Sequence, residues 1–416
     1  MKKVNASSLV CPNCGWKTDI NNTYYCDECH YSLEVNYNYA NIDKNTMIKA
    51  LSKSSGVWDY NMILPIRNEH NIISLNEGNT PLLQSLHIGK KIGINLLFKD
   101  ETRNPSSSFK DRPNTVAISM AKDLGIDTVT IASTGNAGSS MASYAARSSM
   151  RSFIFVPEST PLAKTFQASI HGATIIKVKG NYSDSYKIAQ EVTQKYNWAN
   201  LTSTYLNPYT LEGDKTIAYE LYNQIGGFPN WIVVPLGAGA LLSGIYKGFK
   251  ELKLLGITDE PLPHMLGVQA EGCSPIIKAF IEQKSEVQHF INPSTIADGI
   301  CDPLIGYAQD GTRTLRTIYE SLGAGISVSD DSILNSLCEL AEKEAIFCEP
   351  SSATVLSAIY TGLNKGIIKK GETVVAIITG HGLKAVEEMN KLFVNDINTI
   401  EPNIDQFNSL IKNNFN

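Results

Sequence analysis

The strongest constraint on the fold is an alternation of short apolar runs and helix-like runs between residues 98 and 200. TVTIA (128–132), FIFVP (153–157) and GATIIKVK (172–179) are rich in β-branched or aromatic residues and are too short for buried helices. Helix-like patterns at 141–147, 164–171 and 183–196 separate them. Strand, helix, strand in that rhythm predicts a parallel sheet covered by helices. LLFKDE (96–101), WIVVP (231–235), 264–271 and TVVAII (373–378) read as further strands, and 330–345 reads as an amphipathic helix with acidic residues at its start.

A chain of 416 residues can hold two or three domains with sizeable cores. Its net charge of −5 argues against nucleic acid or an anionic membrane as its main partner. No apolar run reaches the length of a membrane span, and residues 1–10 lack a signal-peptide core, so a cytoplasmic location is expected. Of eight cysteines, Cys11, Cys14, Cys26 and Cys29 form two C-x2-C pairs eleven residues apart. Two such pairs can complete a tetrahedral zinc site with no open position, which makes the metal structural. Disulfides and free thiols are the alternatives, and a reducing compartment disfavours the first. The other four cysteines are scattered and read as small buried hydrophobes.

The chemistry centres on NPSSSFKDRP (104–113). Lys110 follows three serines that suit a helix start, where hydroxyls cap free N–H groups. In a helix's first turn the positive dipole end favours the neutral amine, which can attack a carbonyl and form a Schiff base with an aldehyde cofactor. One lysine says little alone. Three small-residue loops accompany it: STGNAGS (133–139), GAGAL (237–241) and TGHGLK (379–384). Those at 133–139 and 237–241 follow a strand and precede a helix, a local structure that presents backbone N–H groups to an anion. Each alone could merely cap its helix.

Together, from about Leu75 to Lys384 and in this order, these stretches resemble the threonine synthase family of fold-type-II pyridoxal-phosphate (PLP) enzymes. SLNEGNTPL (74–82) is similar to the family's EGxTPL segment, although a plain turn reads as well. EPSSA (349–353) resembles its EPASAA. The resemblance implies an α/β fold of two domains with the cofactor in the cleft, plus a small N-terminal zinc ribbon. It implies that Lys110 bonds PLP and moves the α-proton. It assigns Asn136, Gly237, Ala238, Gly239, Ala240, Leu241 and Thr379 to the cofactor, with the loop at Gly237 on its phosphate and the Thr379 hydroxyl facing the pyridine nitrogen. It assigns Ser133, Thr134, Ala137, Ser107, Ser108 and Thr210 to an amino-acid substrate, and it implies a homodimer.

Some positions depart from the pattern. The lysine motif usually reads NPTGSFKDRG, so Ser106, Ser107 and Pro113 replace Thr, Gly and Gly. NPYTLEGDKT (207–216) carries Thr210 and Asp214 where the family has an arginine for the substrate phosphate and a glutamine. Losing a guanidinium that can hold phosphate bidentately is a large change. GAGAL also looks closer to the GGGGL loop of serine/threonine dehydratases than to GNxGN. The expected activity is conversion of O-phospho-L-homoserine and water to L-threonine and phosphate. The alternatives are an ammonia-lyase or β-substituting enzyme on another amino acid, and a non-catalytic protein of the same fold. The expected domains are the ribbon (1–36), a large domain (37–97 and 207–400), a small domain (98–206) and a tail (401–416).

Overall fold

In the computed structural model, described for residues 5–53, 55–180, 182–202, 204–386, 389 and 399–414, three sheets organise the chain. Strands β1 (Ala6–Val10), β2 (Lys17–Thr18) and β3 (Glu34–Tyr37) form an antiparallel sheet in the order β2-β1-β3. This is the ribbon, and its two C-x2-C turns close with Gly15 N–H on the Cys11 carbonyl and His30 N–H on the Cys26 carbonyl. Gly15 and His30 both lie in the left-handed region (φ +79° and +55°), which reverses the chain after each cysteine pair. His30 thus has a backbone role and stands outside the cysteine cluster.

The six-stranded sheet has the order β12-β11-β10-β13-β5-β4. It comprises β4 (Leu82–Gln84), β5 (Asn95–Asp100), β10 (Trp231–Pro235), β11 (His264–Ala270), β12 (Ala324–Val328) and β13 (Thr373–Ile378). All neighbours are parallel except the edge strand β4. The fully parallel four-stranded sheet has the order β8-β7-β6-β9, from β6 (Thr128–Ala132), β7 (Arg151–Pro157), β8 (Thr174–Val178) and β9 (Ala199–Asn200). All five residues of β6 and of β10 are buried, as continuous apolar strands covered on both faces should be.

One expectation fails. The strand at 96–101 does not open the sheet of residues 128–200; as β5 it pairs with β13, Leu96 opposite Val374 and Asp100 opposite Ile378. Apolar periodicity fixes that a segment is a strand but not which neighbour it takes. The helices that matter to the site are α1 (Asp111–Asp123), α2 (Asn136–Ser148), α3 (Leu162–Ile170), α4 (Tyr182–Tyr196), α5 (Thr210–Asp214), α6 (Ala240–Leu254), α7 (Ala308–Glu320) and α8 (Pro350–Asn364). Residues 1–384 form one compact unit and 385–416 a second, in which Ile404–Asn414 is helical; part of the expected helical tail (387–388 and 390–398) lies outside the described residues. No described helix is long and apolar enough to cross a membrane.

Candidate active site

The C-terminal ends of β5, β6, β10 and β13 carry the loops that meet around one cavity of about 760 Å³. In parallel sheets this end is where helix N-termini and their free N–H groups converge. The loop after β5 is stitched to the end of β13: Phe109 N–H donates to the Thr379 carbonyl, His381 N–H donates to the Ser107 carbonyl, and Ser108 bridges Gly380. This fixes Lys110 and Thr379 in one wall. Lys110, Ser133, Thr134, Asn136, Ala137, Thr210, the run Gly237–Leu241 and Thr379 all line the cavity. Ser107 and Ser108 do not line it.

The serines before Lys110 work differently from the helix caps expected. Lys110 itself precedes α1, and no side chain caps that helix. Instead Asp111 reaches back, accepting from Ser106 N–H (2.6 Å), Ser106 Oγ (2.6 Å) and Ser140 Oγ (2.5 Å). A carboxylate takes several donors at once, so it outcompetes hydroxyls for ordering the loop. Ser107 sits at φ +64°, the left-handed region that explains a glycine in the related motif.

Lys110 Nζ lies 4.4 Å from the centre of the Phe109 ring. Burial pushes its ammonium below the usual lysine range; the carboxylates of Asp214, Glu349 and Asp302 act in the opposite direction. All three line the cavity, and burial raises each above the ordinary carboxylate value, Asp214 to about 7. Hydrogen bonds oppose that rise in two of them. Glu349 accepts from Asn136 Nδ2 at 3.1 and 2.9 Å, and Asp302 accepts from the Tyr307 hydroxyl at 2.7 Å and from Leu304 N–H. Asp302 has no signal in the sequence; a lone Asp-Pro in a loop reads as a turn.

Around Thr379 the donors can be counted. Ser352 Oγ accepts from Thr379 N–H (3.1 Å) and Gly380 N–H (3.0 Å) and lies 2.7 Å from Thr379 Oγ1. With both lone pairs engaged, Ser352 has only its proton left to give, to Thr379 Oγ1 or to the Gly380 carbonyl at 3.4 Å, so Thr379 Oγ1 stands at the cavity wall beside a hydroxyl that is itself fixed. The loop 237–241 is held from below. Thr314 Oγ1 donates to the Ala238 carbonyl (2.5 Å), and the Tyr205 hydroxyl meets the Gly239 carbonyl, Ser243 and Thr314. Gly239 has φ +93°, and a Cβ there would lie 2.3 Å from Thr314 Cγ2. The first N–H groups of α6 therefore open on the cavity, a ready anion cradle. Thr210 carries no charge into it; its hydroxyl donates to the Asn207 carbonyl at 2.7 Å.

The four ribbon cysteines also converge. Cys11 and Cys29 sulfurs are 3.5 Å apart, Cys14 and Cys26 3.4 Å, and Cys14 and Cys29 3.6 Å. Disulfide sulfurs would be about 2.05 Å apart, whereas Zn–S bonds of about 2.3 Å in a tetrahedron place sulfurs about 3.8 Å apart. The donor set fits zinc.

The sequence model of the family described as "Pyridoxal-phosphate dependent enzyme" matches residues 73–380. Threonine synthase of Methanocaldococcus jannaschii is 40% identical over 378 residues, 90% of this chain and 92% of the relative. That of Methanosarcina acetivorans is 38% identical over 380 residues with the same coverage, and that of a Synechocystis strain 36% identical over 328. Among solved structures, maize serine racemase superposes with a TM-score of 0.65 at 20% identity, covering 76% of this chain and 92% of that one. The processed form of threonine deaminase isoform 2 from Solanum lycopersicum superposes with a TM-score of 0.66 at 19% identity, covering 94% and 98%. At such identities these two speak for the fold. The family match over most of the cavity-lining segments, with relatives at 36–40% identity across most of their length, establishes that the chain belongs to the threonine synthase family of pyridoxal-phosphate dependent enzymes.

Proposed function

We propose that the protein is a PLP-dependent threonine synthase, a carbon–oxygen lyase that converts O-phospho-L-homoserine and water to L-threonine and phosphate. The observation that carries this is the convergence of Lys110, the α6 cradle and Thr379 on one cavity, in a chain whose relatives across 90% of its length are threonine synthases. The residues present fit PLP: an amine whose burial favours its neutral form, a glycine-shaped loop at a helix N-terminus for the phosphate, and the Thr379 hydroxyl on the cavity wall for an unprotonated ring nitrogen. Bound there, PLP supplies an aldehyde for exchange of amines and a conjugated ring that spreads the electron pair left when Cα loses its proton.

The chain's own residues do the rest. Lys110 Nζ would hold the cofactor's aldehyde carbon and, once released by a substrate amine, would be the base that takes the α-proton. Its neutral form is required for both tasks, and burial acts in that direction. The loop at Ser133, Thr134 and Ala137 offers hydroxyls and the N-terminus of α2 to the substrate α-carboxylate. Asn136, held by Glu349 on the cavity wall, would offer its amide to the ring hydroxyl oxygen. The cavity is lined by apolar as well as polar side chains, Phe109, Leu201, Leu241 and Ile300 among them, which would lower its water content around the reacting carbon.

With this reading go a structural Zn²⁺ on Cys11, Cys14, Cys26 and Cys29, a cytoplasmic homodimer, and neither nucleic acid nor membrane as partner. The division into ribbon (1–36), small domain (98–206), large domain and tail goes with it too, except that β5 belongs to the large sheet. A second reading, an ammonia-lyase or β-substituting enzyme, is favoured by one observation: α5 presents Thr210 and Asp214 to the cavity and no cation. Assays with O-phospho-L-homoserine, L-threonine and L-serine separate the two. Phosphate and threonine in equal amounts support the synthase; keto acid from threonine or serine without turnover of the phosphorylated substrate overturns it. Lys110→Ala should fold, lose the absorbance of lysine-bound cofactor, and lose turnover.

A further inference from the structure

One buried group in the cavity has no task in that scheme. Asp214 is 3% exposed and lines the cavity, and its Oδ1 has no hydrogen-bond partner. Its place is fixed by two close approaches. A Cβ on Gly213 would lie 1.9 Å from the Arg112 carbonyl, so α5 is pressed against the start of α1, just past Lys110. A Cβ on Gly244 would lie 2.6 Å from the Asp214 Cβ, so Asp214 also abuts α6 about one turn from the loop Gly237–Leu241. An unpaired buried polar atom is costly, and a ligand that satisfies it repays the cost.

The neighbours say which ligand. The cradle at the N-terminus of α6 calls an anion into this part of the cavity. A carboxylate beside that anion would repel it, whereas a neutral carboxylic acid has a proton to donate. Lys110 and Arg112 face Asp214 from the α1 side, and Glu101 from the segment after β5. Arg112 is already engaged by Glu101 and Glu220. From α6, Gly244 abuts Asp214, and the first charge on that helix is Lys247, which is paired with Glu212. Asp302 stands against Gly237, its Cβ 3.5 Å from a Cβ built there, and Glu349 lies toward Asn136.

We propose that Asp214 is a phosphate-binding residue that works as the neutral acid, donating its proton to an oxygen of a phosphate monoester held in the cavity. Burial keeps the carboxyl proton on up to about pH 7, so the group is available in this form near neutrality. The monoester is either the cofactor's or the substrate's, and the proposal rests on the PLP reading above. If the monoester is the substrate's, the proposal also accounts for the missing cation at Thr210: on α5 the contact is a proton donor one turn further on.

The test strips PLP from the wild-type and Asp214→Asn enzymes, titrates each with graded PLP between about pH 6 and about pH 8.5, and reads dissociation constants from the absorbance of lysine-bound cofactor. The asparagine amide donates at every pH. The ionisations of Lys110 and of the phosphate itself are shared by both proteins and cancel in the ratio of constants. The expected ratio of wild type to variant is near unity at the acid end and reaches about thirtyfold at the alkaline end, the linkage for a proton held about 1.5 pH units past its own ionisation. Pyridoxal, which lacks the phosphate, should show no such pH-dependent ratio. A second arm titrates both holoenzymes with O-phospho-L-homoserine and reads the spectral change. A rising ratio in the PLP arm assigns the contact to the cofactor; one in the substrate arm alone assigns it to the substrate phosphate. A flat ratio in both arms, or the same slope with pyridoxal as with PLP, overturns the proposal. If the variant fails to fold, the wild-type PLP-to-pyridoxal affinity ratio, corrected for the phosphate's own ionisation, decides: constant across the pH range, it refutes Asp214 as the donor. Failure to turn over O-phospho-L-homoserine would sink the synthase reading and leave the PLP arm standing.

Discussion

Replacing Gly239 with alanine tests the cradle most directly. The backbone there has φ +93° and ψ 14°, a conformation that costs a residue with a Cβ about 1–2 kcal/mol. The new methyl would lie 2.3, 2.4 and 2.9 Å from Cγ2, Oγ1 and Cβ of Thr314. Thr314 cannot turn away freely, because its hydroxyl holds the Ala238 carbonyl and meets Tyr205. Overpacking of this kind costs about 1–3 kcal/mol. The sum is about 2–5 kcal/mol, divided between lost stability and a displaced loop. Urea unfolding of the apoenzyme should show the first part, and weakened PLP binding, followed by absorbance, the second. The two causes are separable. Thr314→Ala on the Gly239→Ala background removes two of the three clashing atoms, so it should recover most of the steric part and leave the conformational part. Wild-type stability and wild-type PLP affinity in Gly239→Ala would refute the argument that this loop is shaped by close approach.

Ser107→Gly should stabilise the protein by about 0.5–1 kcal/mol in thermal or urea unfolding, since it relieves φ +64° and gives back only part of that gain as unfolded-state entropy. Glu220 pairs with Lys99 and Arg112 at 2.6 Å to each, all three side chains fully buried, so Glu220→Gln should cost about 3–5 kcal/mol. Lys99 and Arg112 hold the Glu220 carboxyl down to about 2, below its ordinary 4.5; its contribution is therefore full above about pH 5 and is lost as pH falls toward 2, a slope that acid unfolding of the variant should lack. Metal analysis should return about one zinc ion per chain. Cys11→Ser or Cys26→Ser should release it and lower the thermal midpoint, and zinc-free protein with reduced, wild-type-stable cysteines would refute the site.

Much of this protein was legible along the chain. The apolar runs became strands where they stand, β10 and β13 to the residue, and the small-residue loops that follow β6, β10 and β13 became cavity walls. The two cysteine pairs came together as their spacing required. These are local consequences: side-chain period, strand propensity and turn chemistry act within a few residues. What packing decided is mostly contact between segments far apart in the chain. Strand β5 took β13 as its neighbour instead of β6, which put Lys110 beside Thr379. Asp111, and not the serines before it, ordered the lysine loop. Asp214, Asp302 and Glu349 were brought to face one lysine from three separate segments, and the low-polarity setting they share moved the proton affinities of all four groups. Neither a partner across the fold nor the depth at which a charge is buried is written in local sequence, and both set the chemistry of this cavity.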